Sequence, residues 1–65
     1  MVIVAYNKNG NVYYDYNNER GKFVASNANF VSVSGNYIVY EKNGHIYKAE
    51  VNSSGSICVN NILVR

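Results

Sequence analysis

The chain is expected to fold as an all-β domain in which one structural unit occurs twice. Three observations carry that expectation. The apolar residues fall in short runs rich in Val, Ile and Tyr, with no helical spacing. Asn9-Gly10 and Asn43-Gly44 each stand between two such runs, and Asn-Gly readily supplies the positive φ angles of a tight hairpin turn. The same hairpin then recurs 34 positions along, with Tyr6, Lys8, Asn9, Gly10 and Tyr13 standing over Tyr40, Lys42, Asn43, Gly44 and Tyr47.

The strands follow in order. Val2 to Asn7 opens the chain, and the Asn9-Gly10 turn returns it through Asn11 to Tyr16. A Gly-bounded turn leads to Lys22 to Ser26, and the link Ser26-Asn27-Ala28-Asn29 passes to Phe30 to Ser34. Gly35 ends that strand, Asn36 to Glu41 comes next, and Asn43-Gly44 turns the chain into His45 to Val51. An Asn/Ser-rich loop precedes Ser56 to Asn60, and a short Asn60-Asn61 link precedes a final strand, Ile62 to Arg65.

The repeat extends well beyond its turns. Asn18 and Gly21 stand over Asn52 and Gly55, while Val4, Val12, Phe23 and Ala25 meet Ile38, Ile46, Ile57 and Val59. A repeat this long governs the architecture. One unit holds four strands in an antiparallel meander, and its second strand, Tyr37-Ile38-Val39-Tyr40, is apolar on both faces. A sheet buried on both sides needs a neighbour on each.

The run F-V-S-V-S-G-N-Y-I-V-Y-E-K-N-G-H-I-Y-K-A-E-V, Phe30 to Val51, resembles the blades of β-propeller proteins. The resemblance implies one domain of two four-stranded antiparallel blades, about 1–28 plus 61–65 and 29–60. The first repeat begins at its second strand, and the chain ends in Ile62-Leu63-Val64-Arg65, which is similar to the innermost strand around Phe30. Two blades do not close a ring, and propellers generally hold four to eight. Ile62 to Arg65 is therefore expected to complete a blade in a neighbouring copy, with Arg65 brought beside Met1. Cyclic symmetry then closes the ring and hides the edges. A six-bladed homotrimer is favoured, with a dimer or tetramer also permitted. The alternative is a self-contained SH3-like or OB-like barrel, which gives the 34-residue repeat no purpose.

Composition agrees with a small unit in need of support. The chain has 65 residues, 48% of them hydrophobic with Tyr included, no Pro and a single Cys. Domains this short often rely on disulfides, metals or oligomerisation. Cys58 alone excludes an internal disulfide and a Cys-rich zinc site, and its place in Ile57-Cys58-Val59 suggests a core residue. The net charge of +2 comes from cations spread along the chain, unlike the basic stripe of a nucleic-acid binder. No apolar run approaches the length of a membrane span, and Met1 leads into Val2-Ile3-Val4 without a basic n-region. The expected partner is thus another copy of the chain, not nucleic acid or membrane. The default location is the cytoplasm.

Catalytic chemistry has little to stand on. His45 is the only histidine and follows a turn glycine, no carboxylate pair has a suggestive spacing, and each Gly stands alone. A non-enzymatic protein with no cofactor and no metal is the expectation. The repeat instead places Asn11, Tyr13, Asn27, Asn29, His45, Tyr47 and Asn61 in or beside links on one face of the ring. Amides donate and accept, and Tyr rings stack on sugars. The arrangement resembles small lectins built from two-blade chains, although their pockets rely on Trp and this chain has none. That resemblance implies a glycan-binding module. The alternatives are a structural or protein-interaction propeller with no small ligand, or packing of Tyr13 and Tyr47 between blades.

Overall fold

The computed structural model describes residues 2–65. Met1, and with it the expected meeting of Arg65 and Met1, lies outside the described residues. The described residues form seven strands and no helix. β1 (Ile3–Lys8), β2 (Asn11–Tyr16) and β3 (Glu19–Ala25) make a three-stranded antiparallel sheet. β4 (Asn29–Ser34), β5 (Tyr37–Lys42), β6 (His45–Val51) and β7 (Ile57–Leu63) make a four-stranded one. Both are meanders of sequential neighbours. The chain is therefore all-β, and its two sheets pack on each other.

The repeat survives in the backbone. Asn9 and Gly10 have φ of 53° and 79°, and Asn43 and Gly44 have 54° and 78°. Positive φ at both central residues is what a type I′ turn requires. Gly21 matches Gly55, and Asn27 (49°) matches Asn61 (56°). The five non-glycine residues with positive φ among those described are all Asn. Asn tolerates the left-handed region better than other side chains do, which gives the Asn richness a structural role.

Two expectations are corrected. Ser56 to Asn60 and Ile62 to Arg65 are not separate strands; β7 runs continuously from Ile57 to Leu63. Asn61 takes its left-handed φ inside the strand, where Lys48 pairs Ile62 while Glu50 pairs Val59. The extra residue on β7 is thus absorbed as a bulge instead of opening a turn. Val64 and Arg65 continue along β6, with Val64 N donating to Ile46 O at 2.7 Å and Ile46 N to Arg65 O at 2.7 Å. Cys58 also departs from the expected core. Glu50 pairs Val59 while Val51 pairs Ile57, so Cys58 sits at a second irregularity and is exposed.

The core lies between the sheets. Val12, Tyr14, Tyr16 and Val24 of the first sheet meet Ile38, Tyr40, Ala49 and Val51 of the second. Ile3, Ala5, Phe30, Tyr47 and Ile57 pack around them. The repeat shows which faces these are. The buried Val12, Tyr14 and Tyr16 correspond to the only half-buried Ile46, Lys48 and Glu50. Conversely, Ile38 is fully buried, whereas its counterpart Val4 is 54% exposed. Each sheet therefore buries the face that the other leaves open. We call the Val12/Tyr14/Tyr16 face of the unit its front and the Ile38/Tyr40/Ala49 face its back. The first sheet presents its front to the second sheet's back.

Candidate functional site

The Asn9-Gly10 turn, the Ala25–Asn29 link and the Asn43-Gly44 turn gather at one end of the sheets. β4 starts there beside the end of β1. Asn27 N donates to Asn11 Oδ1 at 3.2 Å, and Ala28 N donates to Gly10 O at 3.0 Å. Asn7 joins the next strand on: its Oδ1 accepts from Phe30 N at 2.6 Å, and its Nδ2 donates to Asn29 Oδ1 at 3.2 Å. Asn11, Asn27 and Asn29 are thus brought together around a link that they help to order. Asn7 completes the group, and its repeat counterpart is Glu41, so the repeat gave no signal for it.

A second group forms on the four-stranded sheet. The Tyr47 ring stacks on Tyr40 at 5.9 Å and receives His45 edge-on at 6.2 Å. The Tyr40 hydroxyl lies 2.7 Å from Asn60 Oδ1 and 2.9 Å from Asn61 Oδ1, and its single proton serves one of them at a time. Burial holds the Tyr40 phenol above its ordinary value, and the backbone amide of Asn61 works against that. Asn60 Nδ2 donates to Val24 O at 2.9 Å and ties this group to the first sheet. His45, Tyr47 and Asn61 are therefore neighbours. Tyr40 and Asn60 were missed because strand alternation marks them only as core and link.

Tyr13 stands apart from the second group. Its ring stacks on Tyr6 at 6.2 Å and meets Phe23 edge-on at 5.8 Å, on the open back of the first sheet. Its counterpart Tyr47 packs against the core. Asp15 lies on the same open face, accepting from Tyr6 OH at 3.1 Å and from Gly21 N at 2.8 Å. Desolvation, and then the neighbouring Asp15 carboxylate, push the Tyr6 phenol upward.

Among the described residues no three His, Cys, Asp or Glu side chains converge as metal ligands do, and none enclose a cavity. No helix of the described residues is long and apolar enough to cross a membrane. Comparison with protein-family models, with curated proteins and with solved structures finds no match.

Proposed function

We propose that the chain is a two-blade subunit of a self-assembled, non-enzymatic β-propeller, six-bladed as a homotrimer. The front-to-back packing of its two sheets carries this reading. A sandwich closed on itself buries equivalent faces and leaves nothing to extend, whereas front-to-back packing leaves one open front and one open back. Repetition of such a heterologous contact closes into a ring or grows without limit. The strand count supports the ring. The second sheet continues past β5 to β4, while among the described residues the first sheet ends at β1, leaving an unpaired edge of the kind that recruits a strand. Ile62 to Arg65 supplies that strand when it leaves β6 and crosses to the neighbour's β1.

Deletion of Ile62 to Arg65 tests the exchange. The shortened chain should lose the oligomeric mass and be largely unfolded or aggregated. A truncated chain that stays folded at the parent's mass contradicts the shared blade.

Glycan binding is the second reading, favoured by the His45–Tyr47–Tyr40 stack beside Asn61. The half-buried Tyr47 ring stands beside the exposed His45 and Asn61, with Tyr40 buried behind them, and a ring of copies multiplies weak sites by avidity. A glycan array probed with the intact assembly decides it. Binding that is lost in Tyr47→Ala at unchanged mass supports a lectin-like role. No binding to any glycan leaves a structural or protein-interaction propeller.

A further inference from the structure

The contact inside one chain specifies the contact between two. Tyr14 OH donates to Gly55 O at 2.8 Å, and Tyr16 OH donates to Ser53 O at 3.1 Å. These two hydroxyls pin the front of the first sheet to the loop between β6 and β7. Across the repeat, Tyr14 becomes Lys48 and Tyr16 becomes Glu50, while Gly55 becomes Gly21 and Ser53 becomes Glu19. On the open back, the buried Ile38 and Tyr40 and the half-buried Ile57 become Val4, Tyr6 and Phe23, while Ala49 and Val51 become Asp15 and Asn17. The apolar matching is kept at Val4, Tyr6 and Phe23, and the pins turn from neutral to charged.

The charges of Lys48 and Asp15 fall in complementary places. Asp15 binds the Gly21 amide at 2.8 Å, so a carboxylate stands where the Tyr14 counterpart, Lys48, arrives. Glu50 arrives at the stretch around Glu19 and Arg20, where Arg20 supplies a cation; Lys22 lies on the Tyr14 face and is paired with Glu19 at 2.6 Å. Both incoming side chains are already positioned. Lys48 Nζ sits 4.4 Å from the centre of the Tyr37 ring, and Asn36 Nδ2 donates to Glu50 Oε2 at 3.3 Å.

We infer that the open front of the second sheet docks on the open back of the first sheet of another copy, with Lys48 against Asp15 and Glu50 beside Arg20. The inference rests on the proposed ring and adds the contact that selects its register. Association between copies is then sensitive to salt, unlike the buried Tyr pins within one copy, because rim charges are screened.

Sedimentation equilibrium of the full chain tests this. Raising salt from about 50 mM to about 500 mM should weaken self-association about tenfold. Lys48→Glu should weaken it by at least about tenfold at low salt, and the double variant Lys48→Glu/Asp15→Lys should recover most of the loss. Asp15→Asn keeps the carbonyl acceptor for Tyr6 OH and Gly21 N and removes only the charge. It should weaken association about threefold or more, and it decides the matter if circular dichroism shows the double variant unfolded. An oligomer indifferent to salt and to all three variants overturns this interface and leaves the ring standing. A loss in Lys48→Glu that a folded double variant does not recover overturns the Lys48–Asp15 pairing. A wild-type monomer overturns both.

Discussion

Tyr14 donates its hydroxyl to the carbonyl of Gly55, 2.8 Å away and 41 positions along the chain. The bond crosses from the first sheet to the loop between β6 and β7 and is fully buried. It ties the two repeats into one unit.

Tyr14→Phe keeps the ring and removes the donor, leaving the Gly55 carbonyl unpaired in the interior. The expected cost is about 1–2 kcal/mol, read from urea midpoints. Tyr6→Phe serves as the comparison, because the Tyr6 hydroxyl bonds Asp15 on the open face and should cost about 0.5 kcal/mol or less. Equal losses in the two variants contradict the claim that the Tyr14 bond pins the sheets.

Gly55 has a second constraint. Its φ is +89°, and a Cβ built there stands 2.5 Å from Cδ1 of the Tyr16 ring. Gly10, at φ +79°, has nothing within 4 Å of such a Cβ. Gly10→Ala carries only the conformational penalty, about 1 kcal/mol. Gly55→Ala adds displacement of a core ring and should cost about 2 kcal/mol or more. The ranking is checked by thermal melts of both variants, and a Gly55→Ala melt above that of Gly10→Ala refutes it.

Alkaline pH should loosen the fold. Burial raises the Tyr14 and Tyr40 phenols above the ordinary tyrosine value, so the folded chain holds these protons more tightly than the unfolded chain does. Their contribution is fully present below about pH 10 and is lost as pH rises through the higher folded values. Lys22, raised by its bond to Glu19, acts in the same direction, but as an exposed pair it adds little. Urea midpoints should be flat from about pH 8 to about pH 9.5 and fall above that. The fall should be shallower in Tyr14→Phe.

Much of this fold is legible in the residues. Asn9-Gly10 and Asn43-Gly44 announce their turns because few other pairs accept two positive φ angles. The repeat carries over to Gly21 and Gly55 and to Asn27 and Asn61 for the same reason. The continuity of β7 is not legible, because a left-handed Asn61 suits a bulge as well as a turn, and pairing with β6 decides which. The outward Cys58 follows from the same strand's irregular pairing. Nor does alternation show which face of a two-faced strand is buried. Val4 and Ile38 occupy one repeat position and have opposite burial, a choice made by the stacking of the sheets. At the candidate site, Asn27 and Asn61 were found through the repeat. Asn7 and Asn60 act through side-chain bonds to other segments, which no local pattern encodes.

If the proposed ring forms, joining three copies head to tail through short linkers should give one chain that closes it with raised stability, since the association entropy is no longer lost. A fused chain that melts no higher than the separate copies speaks against shared blades.

The central claim, that this chain is an incomplete ring completed by its own copies, is tested most directly by its mass in solution. Sedimentation equilibrium across a wide concentration range should give three times the 7.3 kDa of one chain. The melting temperature should rise with concentration, because folding and assembly are linked. A monodisperse, folded species at 7.3 kDa, with a melting temperature independent of concentration, contradicts the account.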